Sequence, residues 1–393
     1  MPETSSPKDR YDSKGREKVK CQECGGWYHR LDVHLSTKHS MDVKGYLAKY
    51  PGQPTISEAA SKVAAKSAKA KAKDAKAAKV AKAEAKPAGE DTGVYRIGAA
   101  RLVRRADLTE ADKVHVPKHD KGWQMGAVEQ EQLEYLGLGL QAREPVLIVG
   151  PTGCGKSTLV MQLAAICDQP LRRLNLHGDV RASDFVGDKT VSVDPASGQA
   201  VVMWQDGVLV DAMRKGHWLL LDELDGAPAH VLFVLQAVLE KGHTIVLSAN
   251  HGEVVKAHPE FRIIATANTL GRGDDGGLYT GTNMLNEAFL DRFGVVITAG
   301  YPDADTEAEI LFKRSGLNKD DCSKMVEIAR KVRAAQASET VYCTLSTRRL
   351  VAWADKAVRL GSVARAAKIA VTNRLSADDA KFVGGLVQRT WGS

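Results

Sequence analysis

From residue 145 onward, short continuous apolar runs alternate with longer stretches whose apolar positions recur every three or four residues. VLIV (146–149), the core of PLRRLNL (170–176), WLLL (218–221) and RIIATAN (262–268) read as strands buried on both faces. AVEQEQLEYLGLGLQA (127–142), GVLVDAMRKG (207–216) and VLFVLQAVLEKG (231–242) carry the helical period. NEAFLDRFGVVITAGYP (286–302) predicts a short helix followed by a last core strand. Strand and helix in alternation predict an α/β core with a parallel sheet between helices. Two segments depart from that rhythm. Within 178–216, KTVSVD, the turn PASG and QAVVMW predict a hairpin insert, and TIVLSANHGEVVKAHPEF (244–261) predicts a second hairpin and loop. VHVPKHDKGW (114–123) reads as extended, and from Asp303 to the end only amphipathic helices follow, expected to form a compact helical lid.

The first quarter of the chain is different. Residues 1–18 are charged and poor in apolar residues, the composition of a disordered segment. Residues 19–52 form a small cysteine- and histidine-bearing module, and 53–93 a linker. Within that linker, 58–88 is a lysine/alanine run with helical propensity but no apolar stripe, so a solvated helix or a tether. The core then spans 94–302 and the lid 303–393.

Composition narrows the class. With 44% hydrophobic and 26% charged residues, the 393-residue chain is globular and long enough for more than one domain. It has no apolar run of membrane-spanning length, and its first residues lack a signal-peptide core, so no membrane is expected. Six cysteines are scattered apart from Cys21 and Cys24, which argues against a disulfide framework and for a reducing, cytoplasmic setting. The formal charge is +7, with much of the excess before residue 90, as expected of an end that touches something anionic. Lysines this dense could neutralise phosphates, so DNA contact through 19–88 is one expectation and a plain solubilising linker the other.

The chemistry is concentrated after the first apolar run. Gly150-Pro151-Thr152-Gly153-Cys154-Gly155-Lys156-Ser157-Thr158 is the full G-x-x-x-x-G-K-[ST] pattern in strand–loop–helix context. Its glycines let backbone N–H groups converge on phosphate oxygens, Lys156 reaches the β- and γ-phosphates, and Ser157 ligates Mg2+. Cys154 is expected to be a small neutral loop residue. About seventy residues on, Asp222 and Glu223 emerge from a buried strand. Asp222 would hold Mg2+ through its water shell, and Glu223 would orient and deprotonate the attacking water. RIIATAN delivers Asn268 beside the same site, and Arg292 stands at a helix end before the last strand.

In the N-terminal module, Cys21-x2-Cys24 and His34-x4-His39 supply four ligands of the kind Zn2+ takes tetrahedrally. A module this small needs a metal to fold, with Leu31, Leu35, Trp27 and Tyr28 as its miniature core. The nine-residue gap between the pairs is shorter than in common fingers, and His29 is a competing ligand. Cys21, Cys24, Gly25, Leu31, His34, Leu35, His39, Met41 and Tyr46 together resemble the bacterial Ros/MucR-type zinc finger. That resemblance covers about thirty residues and implies DNA binding, although such fingers also bind protein.

Residues 112–360 resemble an AAA+ ATPase of the MoxR branch, with the cobaltochelatase CobS type as the nearest likeness. The residues that carry it are GPTGCGKST (150–158), RLNLHGDVRASDFVGDKTV (173–191), LLLDELDGA (219–227), HPEFRIIATANTLGRGDDGGLYTGTNMLNEAFLDRF (258–293) and LSTRRLVAWA (345–354). The resemblance implies a homo-oligomeric ring, commonly a hexamer, with ATP between subunits. It makes Asn268 sensor 1, Arg292 the finger that reaches the neighbour's γ-phosphate, and Arg348 the sensor-2 arginine, with Arg349 the alternative. It implies a von Willebrand factor A-domain partner, and the two hairpin inserts facing the pore or that partner.

The finger and tether depart from a dedicated chelatase subunit and point to another substrate. The leading expectation is an Mg2+-dependent ATPase ring that remodels a protein or DNA-bound complex recruited through its finger. One alternative is an ATPase subunit driving cobalt insertion into a corrin precursor; another is a DNA-binding regulator that uses nucleotide as a switch. The loop reads phosphates, so GTP in place of ATP stays open.

Overall fold

The computed structural model describes residues 10, 11, 17–28, 31, 34, 35, 38, 39, 41–57, 61, 93–120, 122–193, 198–269 and 283–392. His29, most of the lysine/alanine run and the stretch 270–282 lie outside the described residues. The chain divides into two compact units, Met1–Glu90 and Asp91–Ser393.

In the first unit, strands Val19–Lys20 and Trp27–Tyr28 pair antiparallel around a turn closed by Cys21 N–H to Gly26 O at 2.8 Å. Leu35 N–H to Leu31 O and His39 N–H to Leu35 O, at 2.7 and 3.0 Å, make the helical turns that carry the two histidines. Helix Val43–Lys49 follows, capped by the Asp42 carboxylate on Gly45 N–H. Val19, Cys21, Leu31, Leu35 and Tyr46 form the core, with Tyr28 packed at its margin. Trp27, expected in that core, lies outside it: its ring receives the Arg10 and Lys20 cations, 5.7 and 6.0 Å from the centroid. Tyr46 takes the central place, its hydroxyl accepting from Gln22 N–H at 2.8 Å. Leu31 N–H donates to Thr55 O, so ordered backbone continues beyond residue 52.

The second unit is built on a five-stranded parallel sheet, its strands numbered here β1 (Val146–Val149), β2 (Leu171–Asn175), β3 (Trp218–Asp222), β4 (Arg262–Ala267) and β5 (Val295–Thr298). They lie in the order β5–β1–β4–β3–β2, every neighbour parallel. Strict alternation fills both faces. Leu147, Val149, Leu219, Leu221, Ile263 and Ala265 enter one cluster, while Val146, Ile148, Trp218, Leu220, Ile264 and Ile297 enter another. The apolar runs were continuous because both faces are covered. The chain leaves β1 for the far edge and returns, so the order reverses beside β1, and parallel sheets place ligands at the carboxyl ends of strands near such a reversal.

Helix Ala127–Ala142 has the expected bounds. Its glycines permit close approach: a methyl at Gly139 would lie 2.7 Å from Val146 Cγ2, and one at Gly137 would lie 2.8 Å from Ala100 Cβ. The contact of Gly137 is with a hairpin, Val94–Ile97 with Ala100–Val103, that the polar pattern did not announce. Both expected inserts are hairpins, Gly187–Val193 with Ala200–Asp206 and Thr244–Leu247 with Glu253–Lys256. Among the described residues of 114–123 there is a turn and irregular chain and no strand. One reading fails: the single helix over 231–242 is three short pieces, Ala229–Leu232, Phe233–Leu235 and Gln236–Leu239. Val231, Leu232, Leu235, Val238 and Leu239 are buried at the spacing of one helical face while Phe233 is half exposed, so the apolar period persists across the breaks.

After β5 the described chain is helical: Ala304–Ser315, Lys319–Ala337, Thr347–Leu360, Val363–Ala370 and Ala377–Trp391. They close around their own core, with Trp353 at 0% exposure, its Nε1–H donating to Val363 O at 2.9 Å and its ring 5.8 Å from Trp391. Among the described residues no helix is long and apolar enough to cross a membrane.

Trp353→Ala should destabilise the lid by about 3–5 kcal/mol through the cavity it leaves, measured as a shifted urea transition. Trp353→Phe, which loses the N–H bond and part of the ring, should cost less. Equal shifts for the two would contradict this account.

Candidate functional site

Three strand ends converge. β1 runs into Gly150, β3 ends at Asp222, and β4 delivers Asn268. In register, Leu221 of β3 lies opposite Ala265 of β4, which sets Asp222 beside Thr266. The phosphate-loop glycines are held in conformations that other residues rarely adopt, Gly153 at φ +69° and Gly155 at φ +106°. Gly155 then caps helix Lys156–Ile166, whose N–H groups open toward the loop.

Lys156 is 8% exposed, and its Nζ donates to Gly150 O at 2.6 Å, Pro151 O at 3.1 Å and Asn268 Oδ1 at 3.0 Å. Burial pushes its ammonium below the usual lysine range, opposed by Cys154 and by the carboxylates of Asp225, Asp222 and Glu223. Ser157 Oγ donates to Asp222 Oδ1 at 2.7 Å. The other partners of Asp222 were not anticipated: Thr266 Oγ1 donates to Oδ1, and Arg173 of β2 donates to Oδ2 through Nη2 and, at 2.9 Å, through Nε. Burial alone would push the Asp222 carboxyl up. The hydrogen bonds from Thr266 and Ser157 and the Arg173 charge bring it below the ordinary value.

Glu223, next in the chain, is exposed and left-handed at φ +60°, its N–H donating to Thr266 Oγ1 at 3.1 Å. Asp225 is fully buried. Its Oδ2 accepts from Asn268 N–H at 2.9 Å and from Thr269 N–H at 2.8 Å, which fixes the turn presenting Asn268. Its Oδ1 has no partner among the described residues. Arg173, Thr266 and Asp225 each left a trace: a basic residue inside a strand, a hydroxyl inside an apolar run, and a third acid in DELD.

A cavity of about 240 Å³ adjoins the loop. Gly153, Cys154, Gly155, Lys156 and Thr158 form one wall, Trp123 and Gln124 another, and Ile310, Val351 and Arg348 come from the lid. Arg348 and Arg349 part company here: Arg349 Nη1 donates to Ala370 O at 3.1 Å, away from the cavity that Arg348 lines. Arg292 lies 3.6 Å from Glu240 and donates to Ala288 O. Burial pushes the Cys154 thiol up, against the opposing charge of Lys156, which favours its neutral form.

In the first unit, one donor atom from each of Cys21, Cys24, His34 and His39 lies within 4.8 Å of the others. His34 Nε2 is 3.3 Å from Cys24 Sγ and 3.1 Å from His39 Nε2, and Cys21 Sγ is 3.7 Å from His39 Nε2. Ligand-to-ligand edges of a tetrahedral zinc site are about 3.3–3.8 Å, from bonds of about 2.0–2.3 Å. Burial and the neighbouring His39 push His34 down, which favours the neutral imidazole a metal requires.

The model of the AAA domain (dynein-related subfamily) matches residues 145–293, and that of the CbbQ/NirQ/NorQ C-terminal region matches 307–389. Aerobic cobaltochelatase subunit CobS from Sinorhizobium is 34% identical over 65% of this chain and 77% of its own length. Midasin from Dictyostelium discoideum is 33% identical over 54% of this chain but only 4% of its own. A RuvB mutant from Thermotoga maritima aligns at TM-score 0.40 and 15% identity, over 61% of this chain and 70% of that one. A structural likeness that low carries no weight beside the sheet order. With CobS matched over most of its length and both family models falling on the core and the lid, the chain belongs to the AAA+ ATPases of the MoxR/CobS type.

Proposed function

We propose that the chain binds and hydrolyses ATP with Mg2+ as a ring-forming motor, and that it remodels a partner or DNA-bound complex recruited through residues 19–88. The observation that supports this reading best is the convergence of Lys156, Ser157, Asp222, Glu223 and Asn268 at three strand ends, beside a cavity bordered by Arg348. Lys156, already at the loop, neutralises β- and γ-phosphate charge. The Ser157 hydroxyl and Asp222 carboxylate are hard oxygen donors 2.7 Å apart, a set that fits Mg2+. When bound, Mg2+ neutralises charge on the phosphate oxygens. Glu223, exposed at the strand end, takes the proton of the attacking water, which the Asn268 amide orients. Arg348 contacts the phosphates from the lid. Arg292 completes the site of the adjacent subunit, exchanging Glu240 for phosphate. The Trp123 and Gln124 wall fits a purine base.

Cys21, Cys24, His34 and His39 would hold Zn2+, which supplies the cross-link that a five-residue core lacks. The cobaltochelatase role is the second reading, favoured by the CobS match; it assigns residues 1–92 no part in turnover and makes activity depend on a large chelatase subunit. A von Willebrand factor A-domain partner fits either reading.

Glu223→Gln should retain ATP binding and lose about 10²–10⁴-fold in turnover, whereas Lys156→Ala should lose binding. Turnover that survives Glu223→Gln would remove it as the base. Material captured by Glu223→Gln with and without residues 1–92 discriminates the two roles. DNA or nucleoprotein on the full-length chain alone supports the remodeller, and a chelatase subunit on both supports cobalt insertion.

Arg173→Gln should raise the Asp222 carboxyl toward its ordinary value. The ionised form is then lost sooner as pH falls, so the acid limb of the ATPase pH profile should move to higher pH. An unmoved limb would mean that Arg173 does not hold this carboxylate in the working enzyme.

Metal analysis of the purified chain should find one zinc per chain. A strong chelator should expose residues 19–57 to limited proteolysis and leave the Asp91–Ser393 unit resistant. Resistance of both units would contradict the metal assignment.

A further inference from the structure

A largely buried polar chain runs from the phosphate loop to Thr347, the neighbour of Arg348 in the lid. The Tyr301 hydroxyl donates to the Thr152 carbonyl, inside the loop, at 3.0 Å. Its ring lies under the Arg333 guanidinium, 3.7 Å from centroid to Cζ. Arg333 forms a two-pronged pair with Glu307, Nη1 to Oε2 at 2.9 Å and Nη2 to Oε1 at 2.7 Å. Glu307 is wholly buried, and its Oε1 also accepts from Thr347 Oγ1 at 2.5 Å. Thr347 immediately precedes Arg348, and both line the cavity. The third arm of Arg333, Nε, donates to Leu345 O at 2.7 Å, just ahead of the same helix.

One guanidinium thus holds both approaches to the lid helix and, through an aromatic face, the loop. The backbones meet there as well: a methyl at Gly153 would lie 2.7 Å from Ser346 Cβ. A buried ion pair is a poor stabiliser compared with apolar packing, but its geometry is directional, and breaking it leaves a charge unpaired. Helix Thr347–Leu360 needs no such pair for its start, because the Ser346 hydroxyl already caps it. What the pair adds is a fixed bearing of that helix relative to the loop.

Resting on the ATPase reading above, we propose that Arg333 is a positioning residue: through Glu307 and Thr347 it sets Arg348 against the γ-phosphate, and through Tyr301 it registers that setting to the loop. The γ-phosphate is then read by Arg348 only while Arg333 holds the helix. Discrimination between a triphosphate and a diphosphate is therefore a property of the whole chain of contacts.

The test is a double-mutant cycle on the full-length protein. Affinities for adenylyl imidodiphosphate and for ADP are measured by calorimetry for wild type, Arg333→Gln, Arg348→Ala and the double variant. Arg333→Gln should lower the preference for the triphosphate analogue by about tenfold in the wild-type background and by less than about twofold in the Arg348→Ala background. Tyr301→Phe removes one hydroxyl and keeps the ring. It should reproduce a smaller part of the loss with an unchanged melting temperature in the absence of nucleotide, and it serves if Arg333→Gln fails to fold. Equal losses in both backgrounds, or no loss from Tyr301→Phe, would make the network a brace with no part in reading phosphate and would overturn the proposal. A wild-type chain that binds neither nucleotide, tested beside Lys156→Ala, would overturn the ATPase reading itself and this inference with it. Nucleotide binding by wild type with an additive cycle would overturn the inference alone.

Discussion

The carboxylate of Asp222 is the constraint on which the site depends. Buried at the end of β3, it gathers a hydroxyl from the phosphate-loop helix, a hydroxyl from β4 and a guanidinium from β2. A buried charge is tolerated only when its lone pairs are used, so these partners have to arrive together. That requirement ties the register of three strands to the position of Ser157. It also explains why β2, an edge strand with alternating exposure, carries an arginine at its middle. The contact between Ser157 and Asp222 and the packing of the sheet are therefore one arrangement.

A second buried carboxylate repeats the logic at smaller scale. Asp225 spends one oxygen on the backbone of Asn268 and Thr269, so the turn after β4 is positioned by charge-assisted bonds where packing alone would leave it free to shift. Asn268 can then reach Lys156 with its amide oxygen. The sheet provides rigid strand ends, and a few buried acids convert them into defined directions.

How much of this was legible follows from the range of the forces involved. The strands of the core could be read from apolar runs, because burial on both faces leaves a local signature; VLIV and WLLL have few other uses. The phosphate loop could be read because its chemistry is contiguous in sequence. Arg173, Thr266 and Asp225 escaped, since their significance comes from strands that meet only in the sheet: nothing near Arg173 in the sequence says that Asp222 will be its neighbour. Which of Arg348 and Arg349 lines the cavity likewise depended on the rotation of a helix in space. Trp27 was misassigned because an aromatic residue in a small module has two uses, core or platform for cations, and composition does not separate them. The broken segment 229–239 kept the apolar residues of one face buried while changing helical type, which periodicity alone does not forbid.

Glu223 carries a quieter consequence. Its left-handed backbone costs a residue with a side chain on the order of 1 kcal/mol that glycine would be spared. Folding stability at this position thus favours glycine, which deletes the carboxylate. On the proposed reading, the carboxylate that serves turnover is kept at the expense of this backbone strain. A chain bearing glycine or asparagine here would relieve that strain and keep the fold.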